Sequence, residues 1–409
     1  MSAQDELPRA DQAAGAPHPR ETPQIFGQNK AEQDFLTAFN SDRLHHGWLL
    51  TGPQGVGKAT LAWRIAAFLL SQPPAEDAGL FGAPPPATSL DIGMDHPVMH
   101  RIQALAEPGL ASITRSENDK GKLRDQIVVD DIRALNKFFG LSATDGGRRV
   151  VIVDAADDMN ISAANALLKM LEEPPARTTL LLVSHQPSRL LPTIRSRCRL
   201  LRFAPLGPQD MQAALAQAGA ELPEQTTHLA ALANGSVGAA LRLLNLGGLT
   251  AYSDLIRLLD SMPRMDRQRA MALADQAAAR GGAEKFELLL TLIDTALARL
   301  ARTGATGQPP MPEAAPQEGA ILSRLSPTPH KARAWADLAA QVTARMRHGQ
   351  AVNLDPAALV LDTVFKMQET ASRCPTNGSA RIRPMTTRRG RHDEHPFPSY
   401  GPRSGTDHR

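Results

Sequence analysis

A chain of 409 residues with 42% hydrophobic content can hold two or three cores, and its 4% aromatics, with Ala and Leu dominant, favour helix-rich packing over a β-sandwich. The net charge of +3 is unevenly spread: residues 371–409 hold eight Arg, no Lys and three acids, a net of +5, which leaves about −2 for the rest and excludes a strongly basic nucleic-acid-binding body. Two cysteines, Cys198 and Cys374, exclude a cysteine-rich zinc site and point to a reducing compartment, and no apolar run approaches a membrane span, so the expected address is the cytoplasm.

In chain order, residues 1–22 are polar with scattered Pro and Ala and read as a flexible leader. "QIFGQNKAEQDFLTAFNSDRLHH" predicts a turn and an amphipathic helix with Ala31, Phe35, Leu36 and Phe39 on one face. "HGWLL" predicts a strand, "TGPQGVGK" a Gly-rich turn and "ATLAWRIAAFLL" a helix. Residues 71–94, rich in Pro and Gly, read as a surface insertion. "QIVVDDIRALNKFFG" predicts a strand, an Asp-initiated helix and a Gly stop; "RRVVIVDAADDMNISAANALLKMLEEPP" a buried strand, a turn and a helix; "TTLLLVSHQPSRLLPTIRSRCRLLRF" a strand, a helical turn and an edge strand. Alternation of this kind implies a parallel sheet with flanking helices, ending near Pro205. Beyond it strand signals vanish. Short helices are expected over 206–248, longer amphipathic ones over roughly 250–303 and 331–370, with a Pro- and Gly-rich linker at 304–320. The expected division is a leader (1–22), an α/β domain (23–205), a small helical lid (206–248), a helical C-terminal domain (249–370) and a flexible basic tail (371–409).

Gly52, Gly55 and Gly57 let the backbone curl so that successive N–H groups face a phosphate, and Lys58 at the helix start would neutralise its charge. A strand before and a helix after are the context that motif requires. The residue after the Lys normally supplies the hydroxyl that holds Mg²⁺, but Ala59 has none, and Thr60 is turned by about 100° around the helix. "VVIVD" places Asp154 at the end of a buried strand, where a second nucleotide-site carboxylate belongs, followed by Ala155. Ser184 and His185 close the next strand; His185 reads as a polar strand cap without a catalytic part. Arg197, in "RSRC", reads either as one charge of a solvated turn or as a rigidly mounted cation for a neighbour's phosphate.

These residues resemble the AAA+ clamp-loader ATPases of bacterial DNA polymerase III. The resemblance runs through "HGWLLTGPQGVGKATLA", "VVIVDAADDMNISAANALLKMLEEPP", "LLPTIRSRCRLLRF", "GSVGAAL" and "VNLDP", together residues 24 to about 370. It implies an AAA+ P-loop domain, a helical lid and an all-helical collar that assembles with partners. The family's motor subunits carry Thr after the loop Lys, Glu after the strand-end Asp and Arg in the lid helix; here stand Ala59, Ala155 and Gly238. Their joint absence argues against intrinsic turnover. ATP or ADP is expected as a structural ligand of Gly52, Gly55, Gly57, Lys58, Thr60 and Asp154, with Mg²⁺ weak or absent, and no zinc is expected because residues 71–125 lack Cys. In the matching Ser-Arg-Cys motif, Arg197 would enter the ATP site of an adjacent motor subunit.

The leading expectation is therefore a non-hydrolysing, stator-like subunit acting through Arg197, with gamma/tau and delta subunits as partners and the sliding clamp and primed DNA reached through the complex. One alternative is an ATP-hydrolysing motor subunit or autonomous ATPase in which Thr60 with Asp157 or Asp158 fills the vacant roles, although both Asp residues read as helix-entry residues. Another is a generic nucleotide-binding adaptor with Arg197 as inert surface.

Overall fold

A computed structural model describes residues 9–13, 16–41, 43–73, 85–140, 147–278, 283–351 and 354–373. The basic tail with Cys374, Val352 and Asn353 of "VNLDP", and residues 74–84 of the expected insertion lie outside the described residues.

Five strands form one parallel sheet: β1 (Gly47–Thr51), β2 (Leu110–Ile113), β3 (Arg149–Asp154), β4 (Thr178–Ser184) and β5 (Arg199–Arg202), in the order β2-β3-β4-β1-β5. Alternate side chains leave opposite faces, so each strand feeds two cores. Trp48, Leu50, Val150, Ile152, Leu181, Val183 and Leu201 join one; Leu49, Val151, Val153, Leu180 and Leu182 join the other. The first core is covered by α1 (Asn29–Asn40), α2 (Lys58–Ser71) and α3 (Pro97–Gln103), the second by α4 (Val129–Gly140), α5 (Ile161–Glu172) and α6 (Pro192–Ser196). Burial on both sides explains why β3 and β4 read as unbroken apolar runs. Parallel alignment puts the carboxyl ends of β1, β3 and β4 side by side, where ligands of such sheets bind.

The sequence misplaces one strand. Instead of Ile127 and its neighbours, the outer strand is Leu110–Ile113, registered on Val150–Val153, while Ile127 makes only an isolated bridge to Met159. Β-branched Ile-Val-Val has strand propensity, but Leu-Ala-Ser-Ile holds the sheet edge and Val129 already begins α4. The presumed leader is also packed from Ala16 onward: a short 3-10 turn at Pro19–Glu21 follows His18, which is 2% exposed and meets the Trp63 ring edge-on at 5.7 Å.

After β5 every described element is helical: α7 (Pro208–Gln217), α8 (Thr226–Ala233), α9 (Val237–Asn245), α10 (Gly248–Asp260), α11 (Arg267–Ala278), α12 (Ala283–Thr306), α13 (Glu318–Leu325), α14 (Pro329–Ala351) and α15 (Pro356–Ser372). None is long and apolar enough to cross a membrane. Stop and start signals are local: Ser236 caps α9 by accepting from Ala239 N, and Asp355 caps α15 by accepting from Ala357 N and Ala358 N, with Pro356 at the first helical position. Residues 304–320, expected as a linker, are instead folded in. Glu318 is fully buried and accepts from Arg299 Nε (2.7 Å) and Nη2 (2.8 Å), Tyr252 Oη (2.6 Å) and Ala314 N (2.6 Å). A buried carboxylate is tolerated when a forked guanidinium and further donors satisfy it, and this one pins the Pro-rich stretch to α10 and α12.

Candidate functional site

The loop between β1 and α2 has the backbone its glycines predict. Gly55 and Gly57 lie at φ +75° and +97°, a region costly for other residues, and α2 begins at Lys58 directly after Gly57. Its carbonyls are all engaged by the chain itself. Lys58 Nζ donates to Gly52 O (2.8 Å) and to Pro53 O; Ser236 Oγ donates to Gln54 O (2.8 Å); Gly238 N donates to Gly55 O (3.2 Å); Gln28 Nε2 donates to Val56 O (3.2 Å). The Ser236 and Gly238 contacts come from the cap and first turn of α9. A Cβ on Gly55 would stand 2.4 Å from Ser236 Oγ and 2.9 Å from Gly238 N, and one on Gly238 would stand 3.1 Å from Gly55 Cα. Gly238 is thus a place of backbone-to-backbone approach, and Gln28 and Ser236 are site residues that sequence reading missed. The Gly-Ser cap pattern was visible; its target across the fold was not.

Asp154 ends β3 and Lys58 faces it from α2. Burial pushes the Asp154 carboxyl up to about 7, helped by the charge of Asp11 from the N-terminal segment and opposed by Lys58. Burial likewise pulls the Lys58 amine down to about 8, against the attraction of Asp154 and Asp157. Desolvation outweighs their mutual attraction in both groups. Asp157 is occupied structurally: its carboxylate accepts from His185 N (3.0 Å) and Gln186 N (3.1 Å), which ties the end of β4 to the turn after β3. Asp158 pairs with Arg115 at 3.4 Å. His185 is held near 4 by burial and by the charge of Lys58, so its ring is neutral at pH 7.

The residues present fit a phosphate group. The positive-φ glycines and the start of α2 would cradle an anion, Lys58 lies at that helix start with its Nζ on Gly52 O and Pro53 O, and Ser184 Oγ and His185 Nδ1 are buried without a hydrogen-bond partner within the chain. Position 59 is Ala, position 155 is Ala, and Thr60 sits one helical step further along α2. Among the described residues no cluster of three or more His, Cys, Asp or Glu is arranged to hold a metal.

Arg197 lies elsewhere. It follows α6, and its carbonyl oxygen comes within 3.2 Å of the position a Gly47 Cβ would take, at the amino end of β1. The loop leaves from the carboxyl end of that strand, about 13 Å further along at the usual rise per residue. Arg197 is half-exposed, with Nη2 on Glu172 Oε1 (2.9 Å) and Nη1 on Thr193 O (3.2 Å). Cys198 beside it is a free thiol that burial pushes up to about 12, which leaves it protonated and unreactive.

Comparison with known proteins places these features in a family context. The sequence profile described as "DNA polymerase III, delta subunit" matches residues 27–207. The chain is 43% identical over 204 residues to DNA polymerase III subunit delta' of Pseudomonas aeruginosa, covering 49% of this chain and 56% of that one. It is 32% identical over 272 residues to the Escherichia coli subunit of that name, covering 65% of this chain and 74% of that one. DNA polymerase III subunit gamma/tau of Mycobacterium tuberculosis is 31% identical over 194 residues, 47% of this chain and 30% of that one. The match therefore spans little more than half the length of the Pseudomonas relative.

Proposed function

This chain belongs to the delta-prime family of DNA polymerase III clamp-loader subunits, and we propose that it works there as a non-hydrolysing stator that lends Arg197 to a neighbouring motor subunit. The observation that carries this reading is the separation of the two sites along β1. A guanidinium mounted at the amino end of the strand serves a phosphate in another chain, because about 13 Å of strand lies between it and its own loop. In that place it would stabilise the charge that develops on a transferring phosphoryl group.

The chain's own loop has a different part. ATP or ADP is the proposed ligand, its phosphates resting on the cradle of Gly52, Gly55 and Gly57 with Lys58 as the cation, Ser184 and His185 supplying free polar atoms, and Asp154 and Thr60 at the margin. When bound, such a nucleotide would act as a structural brace, since Ala59 and Ala155 offer no side-chain oxygen to Mg²⁺ or to an attacking water. The alternative of a hydrolysing motor is disfavoured by the engagement of Asp157 with two backbone amides and of Asp158 with Arg115. The helices from α10 to α15 are the proposed collar, joining gamma/tau and delta partners into a cytoplasmic ring that places the sliding clamp on primed DNA.

Reconstitution tests this. ATP turnover is measured for the chain alone, for the motor and delta partners, and for the complex with wild-type or Arg197→Ala chain. The chain alone is expected to be inactive, and Arg197→Ala to cut complex turnover on the order of a hundredfold or more. Substantial turnover by the isolated chain sinks the stator reading.

A further inference from the structure

Arg197 is held by two different elements. One terminal nitrogen is bonded to the Thr193 carbonyl of its own short helix, and the other to Glu172, the last residue of α5. A guanidinium is planar with five N–H donors; fixing both terminal nitrogens sets the plane and still leaves three donors for a ligand. With the Arg197 side chain 39% exposed, those donors are reachable from outside the chain.

Helix stability does not explain Glu172. A carboxylate at a helix carboxyl terminus faces the negative end of the helix dipole, so the position is electrostatically unfavourable unless a cation offsets it. Arg197 is that cation, with its Nη2 on Glu172 Oε1 at 2.9 Å. An ordered arginine also avoids losing side-chain freedom when it engages a phosphate, a cost that long, flexible side chains otherwise incur at that moment.

We propose that Glu172 is the positioning residue of the finger: the carboxylate at the end of α5 holds the Arg197 guanidinium in the plane from which its remaining donors meet the neighbour's phosphate. The inference rests on the reading of Arg197 given above. Glu172 touches no reacting atom and acts only through Arg197.

A double-mutant cycle in the reconstituted complex tests it, with the partner's kcat and KM for ATP measured for wild type, Glu172→Ala, Glu172→Gln, Arg197→Ala and Glu172→Ala with Arg197→Ala. Glu172→Ala is expected to lower kcat about two- to fivefold with KM unchanged, the range set by a half-exposed ion pair. Glu172→Gln, whose amide oxygen still accepts at the same length, is expected to lose less. In the Arg197→Ala background, Glu172→Ala should change nothing, and because both side chains are half-exposed the isolated variants should melt as wild type does. A kcat that stays level or rises in Glu172→Ala while Arg197→Ala is impaired overturns the positioning role alone, as does an equal loss in both backgrounds. No effect of Arg197→Ala overturns the finger reading itself, and the positioning role with it.

Discussion

The two ends of β1 have opposite characters. At the carboxyl end the loop is closed on itself: Lys58 is 2% exposed, and the carbonyls of five successive residues, Gly52 to Val56, are taken by donors from α2, α9 and Gln28. At the amino end Arg197 stands half-exposed, tied down at two nitrogens with donors to spare. One sheet therefore carries two separate features, a Gly-rich loop at one end and an outward cation at the other. Ala59 and Ala155 stand at the carboxyl ends of the strands and leave the Arg197 contacts at the amino end unchanged, because the same sheet supports both.

Crowding at the closed end makes the largest predicted change. Gly55→Ala should destabilise the chain by about 3 kcal/mol, since its Cβ meets Ser236 Oγ at 2.4 Å and the backbone is at positive φ. Chemical denaturation measures the loss, and amide exchange in α9 should rise along with it; an unchanged midpoint would mean that the lid does not rest on the loop. Next is the buried carboxylate. Folded Asp154 titrates near 7 and the unfolded group near 3.8, so the native state keeps a proton that the unfolded chain has released. Its contribution is fully present below about pH 4 and is lost as pH rises through about 7. Asp154→Asn should flatten stability across that window and leave the variant no less stable than wild type at pH 8. Smaller again, Ser236→Ala removes both the α9 cap and the bond to Gln54 O, and should cost about 1 kcal/mol without altering the fold. A thermal shift well beyond that would make Ser236 the main support of the lid.

Much of the sheet was legible because its signal is local. Β-strands buried on both faces read as apolar runs and glycines mark the turn between strand and helix, so the 52–57 turn lies between β1 and α2 and Asp154 ends β3, as the sequence reads. What was illegible depends on contacts distant in the chain. Ser236 meets Gln54 across 182 residues, and Glu318 is an anchor only because Tyr252 and Arg299 converge on it, which turns an apparent linker into packed structure. Gly238 shows the difference most clearly. In sequence it is a missing arginine; in the fold it is the gap that lets α9 lie against Gly55. Arg197 needed the strand direction of β1 before its distance from the loop meant anything.

On the proposed reading, this chain's chemistry lies at the amino end of β1 and not at its loop. The most direct test compares Lys58→Ala with Arg197→Ala in the same reconstituted complex, reading ATP turnover stimulated by clamp and primed DNA. Turnover is expected within about twofold of wild type for Lys58→Ala, with a loss on the order of a hundredfold or more for Arg197→Ala. The reverse pattern, with Lys58 essential and Arg197 dispensable, would contradict it.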